Sequence, residues 1–170
     1  SGTCCMAAIK HAILIKEKHP DADVTICYID IRAYGKGYEE YYQRAEQLGV
    51  RFLRGIPGEI DRDRKGMLLH VENTETRELL ELRPDLVVLS VGMGPPCDIG
   101  GLAEKLGIEI EDSGFIRPLD PKLSPIQTLK PGIYVAGTAT APRDIPDSVA
   151  MGEAAAMRAI IDIKQQEESG

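Results

Sequence analysis

Two short apolar runs constrain this fold more than any other feature: residues 24–31 (VTICYIDI) and 86–91 (LVVLSV). Each is too short for a helix and too evenly apolar for a strand with one wet face, so each reads as a buried strand of a parallel sheet. Around the first run, helical periodicity sets in. Residues 5–18 carry Met6, Ile9, Ile13 and Ile15 at helical spacing, with Ala7, Ala8 and Ala12 in support and Pro20 closing the segment. Residues 38–48 repeat the pattern through Tyr41, Tyr42, Ala45 and Leu48, and Gly49 supplies a residue that readily takes a left-handed cap. A strand at 50–53 follows, then three short strands at 59–61, 67–72 and 77–82, with turns at 63–66 and near Asn73.

The spacing therefore predicts an α/β chain: a Rossmann-like parallel sheet with an antiparallel β-meander, in a domain of residues 1–92 that lacks its first strand. The pattern changes beyond Gly92, and residues 93–170 read as a second region. Residues 93–97 are a Gly- and Pro-rich connection, 102–106 a short helix, and 107–131 short extended pieces between turns. Last come a short strand at 132–136, a loop at 137–146, and an Ala-rich helix at 147–164 capped by Asp147 or Ser148.

Charge and composition exclude several functions. The 27 acidic residues outnumber the 20 basic ones, and the basic ones are scattered, so nothing tracks a phosphate backbone and nucleic acid is not expected as a partner. No apolar run approaches the roughly 18 residues that span a bilayer, so the chain is not expected to be an integral membrane protein. No charged segment followed by an apolar run appears at the start, and of the four cysteines Cys4 and Cys5 are adjacent, so a reducing, cytoplasmic compartment is expected rather than a stapling disulfide. The chain starts at Ser1 and enters a helix without a preceding strand, so it is expected to be a piece of a longer protein; Ser1 and Gly2 equally fit a tag scar.

Chemistry-bearing residues fall at the two ends. Cys4 and Cys5 stand where a complete dinucleotide-binding domain would place its Gly-rich loop, at a helix start that favours thiolate, which suits a metal ligand or redox thiol as well as a pair of small packed residues. Two cysteines cannot complete a cluster that takes about four ligands. Cys27 and Cys97 read as structural thiols, and further ligands are expected upstream. Lys10 and His11 follow one turn later and fit a solvated face or a cation near a redox centre. Asp30 ends the first strand, where an acidic residue can meet a ribose, but Gly35, Lys36 and Gly37 lack the third glycine and the preceding strand of a phosphate loop. At the other end, Gly137, Thr138, Ala139, Thr140 and Ala141 form a loop of small residues that lets backbone approach a ligand. The helix start at Asp147 and Ser148 is expected to aim open amides at it.

The run PGIYVAG at 131–137 resembles the C-terminal flavin signature of thioredoxin-reductase-like flavoproteins with two dinucleotide-binding domains. With RDIPDSVA at 143–150, SGTCCM at 1–6 and residues 30–40, it resembles more closely the A-type subunits of heterodisulfide reductase and of quinone-interacting oxidoreductase complexes. This resemblance, over nearly the whole chain, implies FAD and a nearby [4Fe-4S] cluster, with Cys4 and Cys5 as two ligands and Lys10 near the flavin as the catalytic cation. It implies that Gly137 to Ala141 and Pro146 to Val149 line the flavin, so that 1–92 is a pseudo-NAD(P)-binding domain and 93–170 the C-terminal portion of an FAD-binding domain. Partners would be other subunits of a heterodisulfide-reductase-type complex, and a homodimer is compatible. Thr138 departs from the usual signature, which carries an acid there. Without a Gly-rich diphosphate loop the chain alone is expected to hold FAD weakly and to be inactive. The rival expectations are an NAD(P)H-dependent disulfide reductase using Cys4 and Cys5, and a non-catalytic assembly domain.

Overall fold

The computed structural model describes residues 3–169, which divide into two compact units meeting in sequence at Val91 and Gly92. In the first unit, α1 (Thr3–Lys18) presents Ile9, Ala12 and Ile13 to a core completed by Ala45 and Val50. Met6, Val24, Ile26 and Phe52 pack around it. Helix α1 stops where Lys16 turns its ammonium onto the carbonyls of Pro20 and Ala22, at 2.6 and 2.9 Å. Its outer face pairs Glu17 with Arg44 of α2 (Tyr38–Gln47).

Strands β1 (Thr25–Tyr28) and β2 (Arg51–Arg54) pair in parallel, Thr25 opposite Arg51 and Tyr28 opposite Arg54. The parallel pair expected from the sequence is present. The meander follows as β3 (Pro57–Asp63), β4 (Gly66–Asn73) and β5 (Glu78–Leu82), paired antiparallel in that order. Leu69 and Val71 of β4 point inward with Leu53, making a second core against Cys27, Leu80 and Val87. Between the two sheets Gly55 is irreplaceable: a Cβ there would lie 2.0 Å from the Glu72 carbonyl oxygen.

The run at 86–91 departs from expectation. It forms no regular element and pairs with no described strand, and Leu86, Val88, Leu89 and Val91 are exposed while Val87 packs inward. A buried-strand composition states what a run needs on both faces; here no neighbour strand supplies the edge.

In the second unit, α3 (Ile99–Leu106) ends on Gly107 in the left-handed conformation, φ 64°. Ala103, Ile108, Ile116 and Val135 form its core. The strand expected at 132–136 reduces to one bridge, Tyr134 to Gln127, within an extended segment. Helix α4 (Ile145–Ser169) closes the unit and starts two residues earlier than expected. No described helix is long and apolar enough to cross a membrane.

Candidate functional site

The second unit brings together the loop of small residues and the start of α4. The extended segment enters a one-turn 3-10 helix, Gly137–Ala139, in which Gly137 has φ 60°. A Cβ on Gly137 would come within 3.2 Å of both Cβ and Oγ of Ser148, a tight contact added to the strain of a side chain at φ 60°, so glycine eases the turn against the helix start. Thr140, buried, donates through its amide and its hydroxyl to the Gly137 carbonyl at 3.2 and 3.0 Å. The Ile116 amide binds the Ala139 carbonyl at 3.0 Å and ties the turn to the unit's core.

The helix cap differs from both residues expected. Asp144 accepts the Asp147 amide on its side chain at 2.9 Å, and its carbonyl accepts the Ser148 amide and hydroxyl at 3.0 and 2.7 Å. Both amides expected to stand open are therefore engaged, and Pro146 has no N–H to offer. What remains at the surface is Thr138, Pro146 and Val149, with Ala139, Ala141, Asp147 and Ser148 half-buried behind them. Arg143 lies 3.9 Å from Asp147, and its buried Nε has no hydrogen-bond partner.

A second anchor fixes α4 on the segment that feeds the turn. The Tyr134 hydroxyl donates to Asp162 at 2.6 Å, and Arg158 binds the other carboxylate oxygen at 2.8 Å. That hydroxyl holds the Asp162 carboxyl below its usual range, with Arg158 adding to the effect, and the carboxylate in turn pushes the Tyr134 phenol up.

The first unit holds the thiols. Cys4 and Cys5 sit half-buried in the first described turn of α1. Cys5 Sγ donates to the Asp30 carbonyl at 3.7 Å, just beyond the end of β1, and Ser90 Oγ donates to the Cys4 carbonyl at 3.2 Å. Sequence reasoning misses Ser90; its position at the end of a strand-like run is the only signal it gives. Lys10 and His11 are exposed on α1. Cys27 packs beside the meander core, its thiol pushed up by burial, and Cys97 is exposed in the second unit. Among the described residues no group of three or more His, Cys, Asp or Glu side chains could hold a metal ion. The donor set for a complete cluster is therefore not present among them, though an adjacent thiol pair fits part of one.

The Gly35 to Gly37 loop forms the entry to α2. Gly37, at φ 78°, caps α2, and a Cβ on Gly35 would fall 2.5 Å from the Tyr38 ring. Asp30 is exposed and lies 4.0 Å from Arg32.

The fold is that of a redox-flavoprotein domain, and the chain belongs to the pyridine nucleotide-disulphide oxidoreductase family, whose profile matches residues 9–156. Within that family of redox flavoproteins it is similar to the A-type subunits of heterodisulfide reductases. It is 49% identical over 168 residues to the A-type iron-sulfur subunit of the CoB–CoM heterodisulfide reductase of Methanocaldococcus jannaschii, covering 97% of this chain and 26% of that protein. It is 46% identical over 157 residues to the A-type subunit of the ferredoxin:CoB–CoM heterodisulfide reductase of Methanosarcina acetivorans, covering 92% of this chain and 20% of that one. The chain thus spans about a quarter or less of the length of these relatives. Among solved structures it resembles Lactococcus lactis thioredoxin reductase with a TM-score of 0.67 at 25% identity, over 94% of this chain and 50% of that one.

Proposed function

We propose that this chain is the part of a heterodisulfide-reductase-type flavoprotein subunit that lines FAD with Gly137 to Ala141 and Pro146 to Val149 and contributes Cys4 and Cys5 to a [4Fe-4S] cluster. The observation that carries it is the turn at Gly137 seated on Ser148, where a missing side chain lets backbone and helix start converge. Small residues there admit a planar ring system against backbone, and exposed Thr138, Pro146 and Val149 offer it a partly apolar surface. FAD, when bound, supplies the electron-accepting chemistry; this chain's residues hold and orient it. Lys10 is the cation proposed to favour the reduced, anionic form. In the complete complex, partner subunits would exchange electrons with this one.

A dithiol reductase using Cys4 and Cys5 is disfavoured on geometry. Consecutive Cα atoms lie about 3.8 Å apart, below the roughly 4.4 Å at which disulfides begin to be relaxed. The test is anaerobic iron and sulfide reconstitution of the chain within its longer protein. Wild type is expected to show cluster absorbance that Cys4→Ser with Cys5→Ser removes or strongly lowers; equal cluster content in both would refute ligation by this pair.

A further inference from the structure

Both thiol-bearing residues of α1 are tied to chain that comes from elsewhere in the first unit. Ser90 Oγ donates to the Cys4 carbonyl at 3.2 Å, across 86 residues of sequence, and Cys5 Sγ donates to the Asp30 carbonyl at 3.7 Å. Asp30 lies just beyond the end of β1. Ser90 lies in the run at 86–91, which Val87 fastens to the core of Leu53, Leu69 and Val71. The first turn of α1 therefore bridges two stretches that share no strand ladder among the described residues.

These ties matter because burial does not hold the turn. The first fully buried side chain of α1 is Ile9; Thr3, Cys4, Cys5 and Met6 are only half-buried, and Ala7 is exposed. A helix end frays unless something outside the helix pins it. The two ties differ in what they require. The Cys5 bond uses the thiol proton, and a thiol must lose that proton to bind iron. The Ser90 bond joins a hydroxyl to a backbone carbonyl, which has two lone pairs and can accept Ser90 as well as the helix's own amide. Of the two, only the Ser90 bond outlasts ligation.

We propose that Ser90 is a positioning residue for the thiol pair, holding the first turn of α1 in place once Cys5 has given up its proton to become a ligand. The inference rests on the reading of Cys4 and Cys5 as cluster ligands, and it adds a residue that acts through the backbone and not as a ligand.

The test uses both the metal-free chain and the longer protein. In the metal-free chain, helix geometry assigns the Ala8 amide to the Cys4 carbonyl. Its hydrogen exchange is expected to rise about two- to tenfold in Ser90→Ala, the range that one lost hydrogen bond allows. It should rise further in Ser90→Ala with Cys5→Ala and stay near wild type in Ser90→Thr. In the longer protein after anaerobic iron and sulfide reconstitution, Ser90→Ala should lose its cluster to a chelator severalfold faster than wild type. The electron paramagnetic resonance signal of the reduced cluster should also change, and Ser90→Thr should restore both. Unchanged exchange in both alanine variants would overturn the proposal, as would wild-type cluster retention and signal in Ser90→Ala, or equal loss in Ser90→Thr. Unchanged cluster content in Cys4→Ser with Cys5→Ser would sink the reading of the thiols and the proposal with it. Exchange, which needs no iron, tells the two failures apart.

Discussion

At the residue scale, single positions decide whether the candidate flavin wall can exist. At φ 60° a side chain on Gly137 would be strained and its Cβ would press within 3.2 Å of Ser148, and the PGIYVAG run makes that glycine legible. The Tyr134 and Asp162 pair is not legible, because 28 residues separate two partners that only the packing of α4 unites. It carries a pH signature. The Asp162 carboxyl is held low, so its contribution is complete above about pH 4 and is lost as the pH falls through the lowered value. The Tyr134 phenol is pushed up, so its contribution is complete below about pH 10 and is lost as the pH rises through the raised value. Both describe one hydrogen bond. Tyr134→Phe should therefore destabilise the chain at neutral pH, and the gap from wild type should close at both extremes; urea midpoints across pH measure it. A gap that is constant with pH would show that the bond contributes nothing to either titration.

At the element scale, what is readable is what is local. The helices α1 and α2, the parallel pair and the meander follow from periodicity and turn residues, and each lies within a few residues of its expected bounds. The run at 86–91 and the strand at 132–136 depart from expectation for one reason: composition specifies a buried strand, but a ladder needs a partner that no composition names. The start of α4 differs although a signal is present. Pro146 is tolerated in a helix only within the first turn, which puts the cap before it, at Asp144, and not after it. Asp144→Ala should cost about 1 kcal/mol. It should also speed amide exchange at Asp147 and Ser148, whereas Asp144→Asn should retain most of the stability. Equal loss in both, read by denaturation and hydrogen exchange, would mean that the charge matters and the cap does not.

For the whole molecule, the chemistry is divided between two units with separate cores: thiols and Lys10 in the first, the small-residue turn in the second. The family is legible because its signatures are short and continuous in sequence. That the described residues hold no complete donor set for a cluster is legible too, since the four cysteines at positions 4, 5, 27 and 97 do not share ligand spacing. The open helix amides are not delivered, because Asp144 takes what the sequence assigns to a ligand. The central claim is that the surface from Gly137 to Val149 contacts a flavin, and the most direct measurement is FAD bound per protein in the longer protein from which this chain comes. Pro146→Glu and Val149→Glu place carboxylates at exposed positions of that surface, and Ile163→Glu does the same farther along α4. The first two should lower bound FAD severalfold while Ile163→Glu leaves it near wild type; equal FAD content in all three would contradict the account.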